Sequence, residues 1–168
     1  TERSNWLGKQ EKVFKAVDGV SFEIEQGDRM GLVGESGCGK STLSKCILGL
    51  QKATAGHIWF KEKELTGLGD KQWFDLRKSI QIIFQDPYAS LNPRLNVRQL
   101  LAEPLQVHKV VDKAGMEQRL KQLLDQVQLP ITALQKYPHE FSGGQRQRIC
   151  IARALSVAPE FIICDESV

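Results

Sequence analysis

No stretch of this 168-residue chain is long and apolar enough to cross a bilayer, a task that takes roughly 20 consecutive apolar residues. Neither sign of charge predominates: 23 Lys and Arg stand against 20 Asp and Glu, mixed along the chain. That balance is too weak to mark a surface for nucleic acid. Cysteine is sparse, and Cys38, Cys46, Cys150 and Cys164 form no C-x-x-C pair. This argues against a zinc site and suits buried or loop thiols in a reducing compartment. Repeats, sustained heptads and a secretory leader are also missing, and the chain opens on Thr1 rather than Met, which leaves room for an upstream piece. What remains is an ordinary globular composition, 41 % hydrophobic and 26 % charged. Such a chain makes one domain with a sizeable core and room for a subdomain.

Against this plain background one stretch stands out: Gly34, Glu35, Ser36, Gly37, Cys38, Gly39, Lys40, Ser41 and Thr42. The order glycine, four residues, glycine, lysine, hydroxyl residue is that of a phosphate-binding loop. Its glycines let the backbone approach an anion, and successive N–H groups then form a cradle for phosphate oxygens. Lys40 adds a mobile positive charge for the outer phosphates, and Ser41 offers a hydroxyl to magnesium. Met30–Val33 reads as an apolar strand leading in. Thr42–Leu48 reads as a helix leading out, stopped by Gly49. A helix there would aim its N-terminal dipole at the phosphates.

Elsewhere, Val13–Val17 and Val20–Ile24 read as strands about a turn at Asp18-Gly19, with Val20, Phe22 and Ile24 alternating against polar residues. A second turn at Gln26-Gly27-Asp28 follows, and His57–Phe60 reads as a short strand, so an antiparallel sheet is expected beside the nucleotide site. Asp70–Lys78 suits a short helix, and Ile80–Phe84 a buried strand that Pro87 terminates. Prolines then punctuate helical stretches around Val97–Glu103 and Lys113–Val127; in the second, Met116, Leu120, Leu123, Leu124 and Val127 share one face. Ser142–Ser156 reads as a helix with Ser142 as N-cap, its Arg146, Arg148 and Arg153 remaining on the polar side. Phe161–Cys164 reads as a second buried strand.

Three further sites carry chemistry. Asp165 ends an apolar strand that can deliver a carboxylate to magnesium beside the phosphate loop, together with Ser41. Glu166 follows, placed to polarise an attacking water as general base. Gln85 follows its own strand; its amide can join the magnesium shell and sense the γ-phosphate, although on its own it reads better as a polar loop residue. Ser142-Gly143-Gly144-Gln145 opens a helix with exposed N–H groups and a hydroxyl, a second anion site of the helix-terminus kind. The histidines His57, His108 and His139 read as surface or packing residues.

Taken in order, Gly34–Thr42, Gln85, Phe141–Gln145 and Phe161–Glu166 resemble the Walker A motif, Q-loop, signature motif and Walker B motif of the ABC transporter ATPases. Ala16–Phe22, Phe84–Arg94 and Tyr137–Phe141 are similar to the oligopeptide/dipeptide/nickel branch of bacterial importers. The resemblance implies an α/β fold: a P-loop NTPase with a RecA-like parallel sheet core, an N-terminal antiparallel β subdomain and a helical insertion subdomain. On this pattern, residues 1–168 form a single ABC ATPase domain, incomplete at the C-terminus. About 1–86 would be β subdomain and P-loop core, 87–156 helical subdomain, and 157–168 the Walker B strand.

The resemblance also implies a mechanism. Two ATPase subunits, expected to be different polypeptides, sandwich two ATPs with Mg2+. Lys40, Gln85 and Glu166 are the catalytic residues; Gly34–Thr42 and Ser142, Gly143, Gly144 and Gln145 hold nucleotide, the latter group in the partner's site. Ser41, Gln85 and Asp165 serve the metal. ATP hydrolysis would power import of short peptides through transmembrane permease subunits fed by an extracytoplasmic binding protein, with the ATPase on the cytoplasmic face of the bacterial membrane. Nickel or another small solute is the alternative cargo, and a soluble ABC ATPase acting on nucleic acid or ribosomes the alternative class. No nucleic-acid partner is expected, since a chromosome-type ATPase would place long coiled coils where this chain has a short helical insertion. Ser167 departs from the family's usual proline, and Phe141 from its commoner leucine. Trp6 and Phe14 both qualify as the aromatic that stacks on adenine. The D-loop and switch histidine would lie beyond residue 168, and the 168 residues alone are expected to hydrolyse ATP weakly or not at all.

Overall fold

The computed structural model describes residues 15–165 and, by backbone alone, two short strands near the N-terminus, β1 (Arg3–Ser4) and β2 (Gln10–Glu11). Trp6, Phe14 and Glu166 therefore lie outside the described residues. The chain divides into two compact units, residues 1–66 and 67–168.

In the first unit, β1 and β2 pair antiparallel, Arg3 opposite Glu11. The helix expected after the glycine loop is present as α1 (Lys40–Ile47). Its end is closed by the backbone: Gly49 N–H donates to Cys46 O (3.1 Å) and Leu50 N–H to Lys45 O (2.9 Å). This 5→2 and 6→1 pair satisfies carbonyls the helix would otherwise leave bare, and needs a left-handed residue between them; Gly49 supplies it at φ 65°. A hairpin follows, β3 (Trp59–Phe60) against β4 (Lys63–Glu64) with Trp59 opposite Glu64. The ladder continues through Leu65 N–H to Ile58 O at 2.7 Å, and Leu65 is buried.

The strands expected at Val20–Ile24 and Met30–Val33 do not form, nor does the part of Val13–Val17 that lies among the described residues. The turns between them do: Gly19 and Gly27 take φ of 63° and 94°, and Asp28 N–H donates to Glu25 O at 3.1 Å. Alternating or continuous apolar residues fit a pleated surface, but a strand exists only where another strand's edge pairs with it. Among the described residues no pairing reaches these segments, and Val20, Phe22, Met30, Leu32 and Val33 remain exposed.

The second unit holds the main core. Helix α2 (Asp70–Leu76) buries Trp73 and Leu76. Strand β5 (Ile80–Ile83) leads into a single turn, α3 (Pro87–Ser90), capped by Asp86, whose Oδ1 accepts from Tyr88 N–H at 2.8 Å. Helices α4 (Val97–Val107), α5 (Met116–Gln126) and α6 (Gly143–Leu155) then pack on one another. Val97, Leu101 and Leu105 from α4, Leu120, Leu123 and Leu124 from α5, and Ile149 and Ala152 from α6 are fully buried. Truncating one such leucine to alanine typically costs ~2–5 kcal/mol, so this cluster is what stabilises the unit. The helix expected to stop at Glu103 runs on through Pro104 to Val107. Proline removes one donor there, yet burial of Leu105 rewards another turn, and Val110 N–H then closes on Leu105 O at 2.9 Å.

Strand β6 (Phe161–Cys164) closes the unit, parallel to β5 with Ile80 opposite Phe161 and Ile83 opposite Cys164. All helices of the insertion lie between these two strands in sequence, and their pairing returns the chain to the sheet. No helix among the described residues is long and apolar enough to cross a membrane.

Candidate phosphate-binding and helix-terminus sites

The glycine loop folds as a cradle. Cys38 N–H donates to Glu35 O (3.2 Å), and Gly37 and Gly39 take φ of 82° and 100°, a region side chains resist. Space is as restrictive as angle. A Cβ on Gly39 would stand 2.1 Å from Ala16 O, and one on Gly34 2.6 Å from Cys38 Sγ. Lys40, the first residue of α1, turns its side chain back over the loop: Nζ donates to Gly34 O (2.7 Å) and Glu35 O (2.9 Å) and lies 3.9 Å from Cys38 Sγ. Residues 34–38 and Ser41 are exposed, and α1 carries no acidic residue in its first turn. The positive end of the helix dipole thus meets solvent uncompensated by side chains, as an anion site requires. Glycines that admit no Cβ, an ammonium folded over them and a helix start behind fit a polyphosphate.

The second unit brings two of the expected residues to one place. In the parallel β5–β6 pair, Asp165 N–H donates to Ile83 O at 3.0 Å. Gln85 and Asp165 therefore leave adjacent strands at the same, C-terminal end, the edge at which parallel sheets bind ligands. Asp165 is half-buried and Gln85 exposed. Among the described residues no three His, Cys, Asp or Glu converge as a metal cage. Magnesium carried on a nucleotide needs none, because phosphate and water supply most of its oxygens. A hydroxyl, an amide and one carboxylate are donors suited to it.

The Ser142–Gln145 turn starts α6. Ser142 and Gln145 form a reciprocal capping box: Gln145 N–H donates to Ser142 Oγ (3.3 Å), and Ser142 N–H to Gln145 Oε1 (3.0 Å). Ser142 through Gln145 are exposed, and nothing lies within 4 Å of where a Cβ on Gly143 or Gly144 would be. The first turn holds no acidic residue. Two bare glycines on an open helix start let a flat partner come close to the backbone.

Arg146 corrects the sequence reading. Expected on the polar side of α6, it is only 7 % exposed. Its Nη1 donates to Pro138 O (3.2 Å), its Nη2 to the Tyr88 hydroxyl, and Cζ stands 3.5 Å from the centre of the Tyr88 ring. The available signal was position: Arg146 lies three residues before Ile149, on the stripe that enters the core. All four cysteines are free; Cys38, exposed in its loop, and Cys150, whose thiol burial pushes up from its ordinary range, match the expectation of buried or loop thiols, whereas Cys46 is half-buried on α1 and Cys164 exposed on β6.

Comparison with known proteins agrees with the motifs. The family model for ABC transporters matches residues 17–168. The oligopeptide transport ATP-binding protein OppF of Escherichia coli is 49 % identical over 164 residues, 97 % of this chain and 49 % of that protein. OppF of Streptococcus mutans is 52 % identical over 162 residues, 96 % of this chain and 52 % of that protein. This chain thus spans about half the length of these curated relatives. Among solved structures, a dimeric post-hydrolysis state of the ATP-binding cassette MJ0796 bound to ADP and Pi superposes with a TM-score of 0.85 at 28 % identity, covering 99 % of this chain and 72 % of that one. The cradle at Gly34–Thr42, the parallel strands that end at Gln85 and Asp165, and a family match over nearly the whole chain have one reading: this chain belongs to the ABC transporter family and has its P-loop NTPase fold.

Proposed function

We propose that the full-length protein is the ATP-hydrolysing subunit of a membrane importer of short peptides. The observation that carries this is the presence, in one chain, of a lysine-closed phosphate loop and a separate, bare helix start at Ser142–Gln145. One site cradles a polyphosphate; the other offers N–H groups to a second one. Relatives named for oligopeptide transport, about half identical over nearly the whole chain, support the cargo class.

In this reading the backbone of Gly34–Thr42 holds the phosphates and Lys40 neutralises the outer ones. Ser41, Gln85 and Asp165 hold Mg2+, which when bound offsets charge on the phosphoryl group. Glu166 takes the proton of the attacking water. Ser142, Gly143, Gly144 and Gln145 face the nucleotide held by a second ABC ATPase subunit, a different polypeptide. The parallel return of β6 onto β5 supports a division into a strand-containing core and a helical subdomain between residues 87 and 156. Closure and opening of the pair would drive the permease subunits from the cytoplasmic face of the membrane.

The test is reconstitution of the full-length chain with its partner ATPase, permease subunits and binding protein in vesicles. ATP turnover stimulated by short peptides and not by nickel is expected. Stimulation by nickel alone would reassign the cargo, and copurification with ribosomes or duplex DNA instead of membranes would overturn the importer reading.

A further inference from the structure

We propose that Tyr88 and Arg146 are positioning residues that fasten the loop after Gln85 to the first turn of α6, so that the attitude of Ser142–Gln145 follows that of the Gln85 loop. The inference rests on the reading of Ser142–Gln145 as a nucleotide-facing turn.

Arg146 directly follows the capping box and is the first residue of α6 to enter the protein. A guanidinium there is costly. It sits against two neutral acceptors, the Pro138 carbonyl and the Tyr88 hydroxyl, and its Nε is buried without a hydrogen-bond partner. A buried donor left unmade is a standing penalty, which an apolar residue of similar size would avoid. Packing alone therefore does not account for an arginine at this position. What the arginine adds is reach and direction: a planar fork that engages the Tyr88 hydroxyl at one end while lying over the Tyr88 ring.

Tyr88 is joined as firmly to the Gln85 side. Its N–H donates to the Asp86 carboxylate at 2.8 Å, and Ser90 Oγ donates to Asp86 O at 2.7 Å, so α3 is one rigid turn that begins next to Gln85. A second tie lies further along α6, where Arg153 Nη1 donates to Ser90 O at 2.6 Å. Helix α3 is thus held to α6 at two points. Tyr88 itself is 63 % exposed, so it is fixed by Arg146 and Asp86 rather than by core packing. A shift of the Gln85 loop moves α3 as a unit, and the Arg146 fork carries that shift to the capped turn one residue away.

The experiment uses the full-length chain, alone and assembled with its partner ATPase and permease subunits, as wild type, Tyr88→Phe, Tyr88→Ala, Arg146→Lys and the Tyr88→Ala/Arg146→Lys double variant. Nucleotide affinity of the isolated chain should remain within about twofold of wild type. Turnover of the assembly should fall about tenfold in Tyr88→Ala and in Arg146→Lys, and no further in the double variant. Tyr88→Phe, which keeps the ring contact, should lose less than Tyr88→Ala. Amide hydrogen exchange should quicken at Gln145 and Arg146, whose N–H groups donate to Ser142, in Tyr88→Ala and stay unchanged in α4 and α5. Wild-type exchange at Gln145 and Arg146 in Tyr88→Ala would overturn the proposal. So would additive losses in the double variant, or a uniform quickening across α4, α5 and α6, which marks mere loss of stability. Were the wild-type assembly inactive, the functional reading would fail, while the exchange measurement would still decide the tie.

Discussion

Lys40 is the residue on which the phosphate loop closes. Its ammonium bonds Gly34 O and Glu35 O, and those carbonyls keep it poised over the backbone cradle. On the proposed reading the ammonium would pair with the outer phosphates, and a charged hydrogen bond of that kind contributes ~1.5–3 kcal/mol, so Lys40→Ala should weaken ATP binding by about tenfold or more in a fluorescent-nucleotide titration of the full-length chain. Unchanged affinity would show that the backbone alone holds the nucleotide. The backbone of this loop was legible in the sequence, because glycine is the residue that accepts the positive φ found at Gly37 and Gly39. Gly49 and Ser142 were legible for a similar reason: helix ends have local grammar, and both residues cap as their types dictate. Arg146 was not, because charge argues for the surface, and its burial depends on a tyrosine 58 residues away in sequence.

At the scale of elements, the helices were legible and several strands were not. The stripe Leu120, Leu123 and Leu124 specifies α5 from within its own sequence, and all three side chains are fully buried. Met30–Val33 is as apolar, but among the described residues it finds no ladder, because strand formation is a property of two segments. Strands β5 and β6 have such a partner in each other, and their register puts Gln85 and Asp165 at one end. Helix α6 is the element on which we propose the second anion site, and its start depends on the capping box. Ser142→Ala removes the hydroxyl that accepts from Gln145 N–H. It should lower stability by about 1 kcal/mol, read as an earlier midpoint in urea unfolding followed by circular dichroism. A loss near zero would mean that Gln145 alone sustains the turn.

At the scale of the whole molecule, the described residues include a glycine cradle and a glycine helix start that we propose as two phosphate sites, each described in its own unit. We propose that they serve two different nucleotides, which would make the functional protein a pair of ATPase subunits and make hydrolysis depend on Glu166, which lies outside the described residues. The most direct measurement is ATP turnover by the full-length protein carrying Glu166→Gln, assembled with its partner subunits and compared with wild type. ATP should still bind, and a nucleotide-bound dimer should accumulate on size-exclusion chromatography, while turnover at the site built by this chain is lost. Turnover undiminished by the substitution would contradict the assignment of Glu166 and, with it, the reading of Gly34–Thr42 as half of a hydrolytic site.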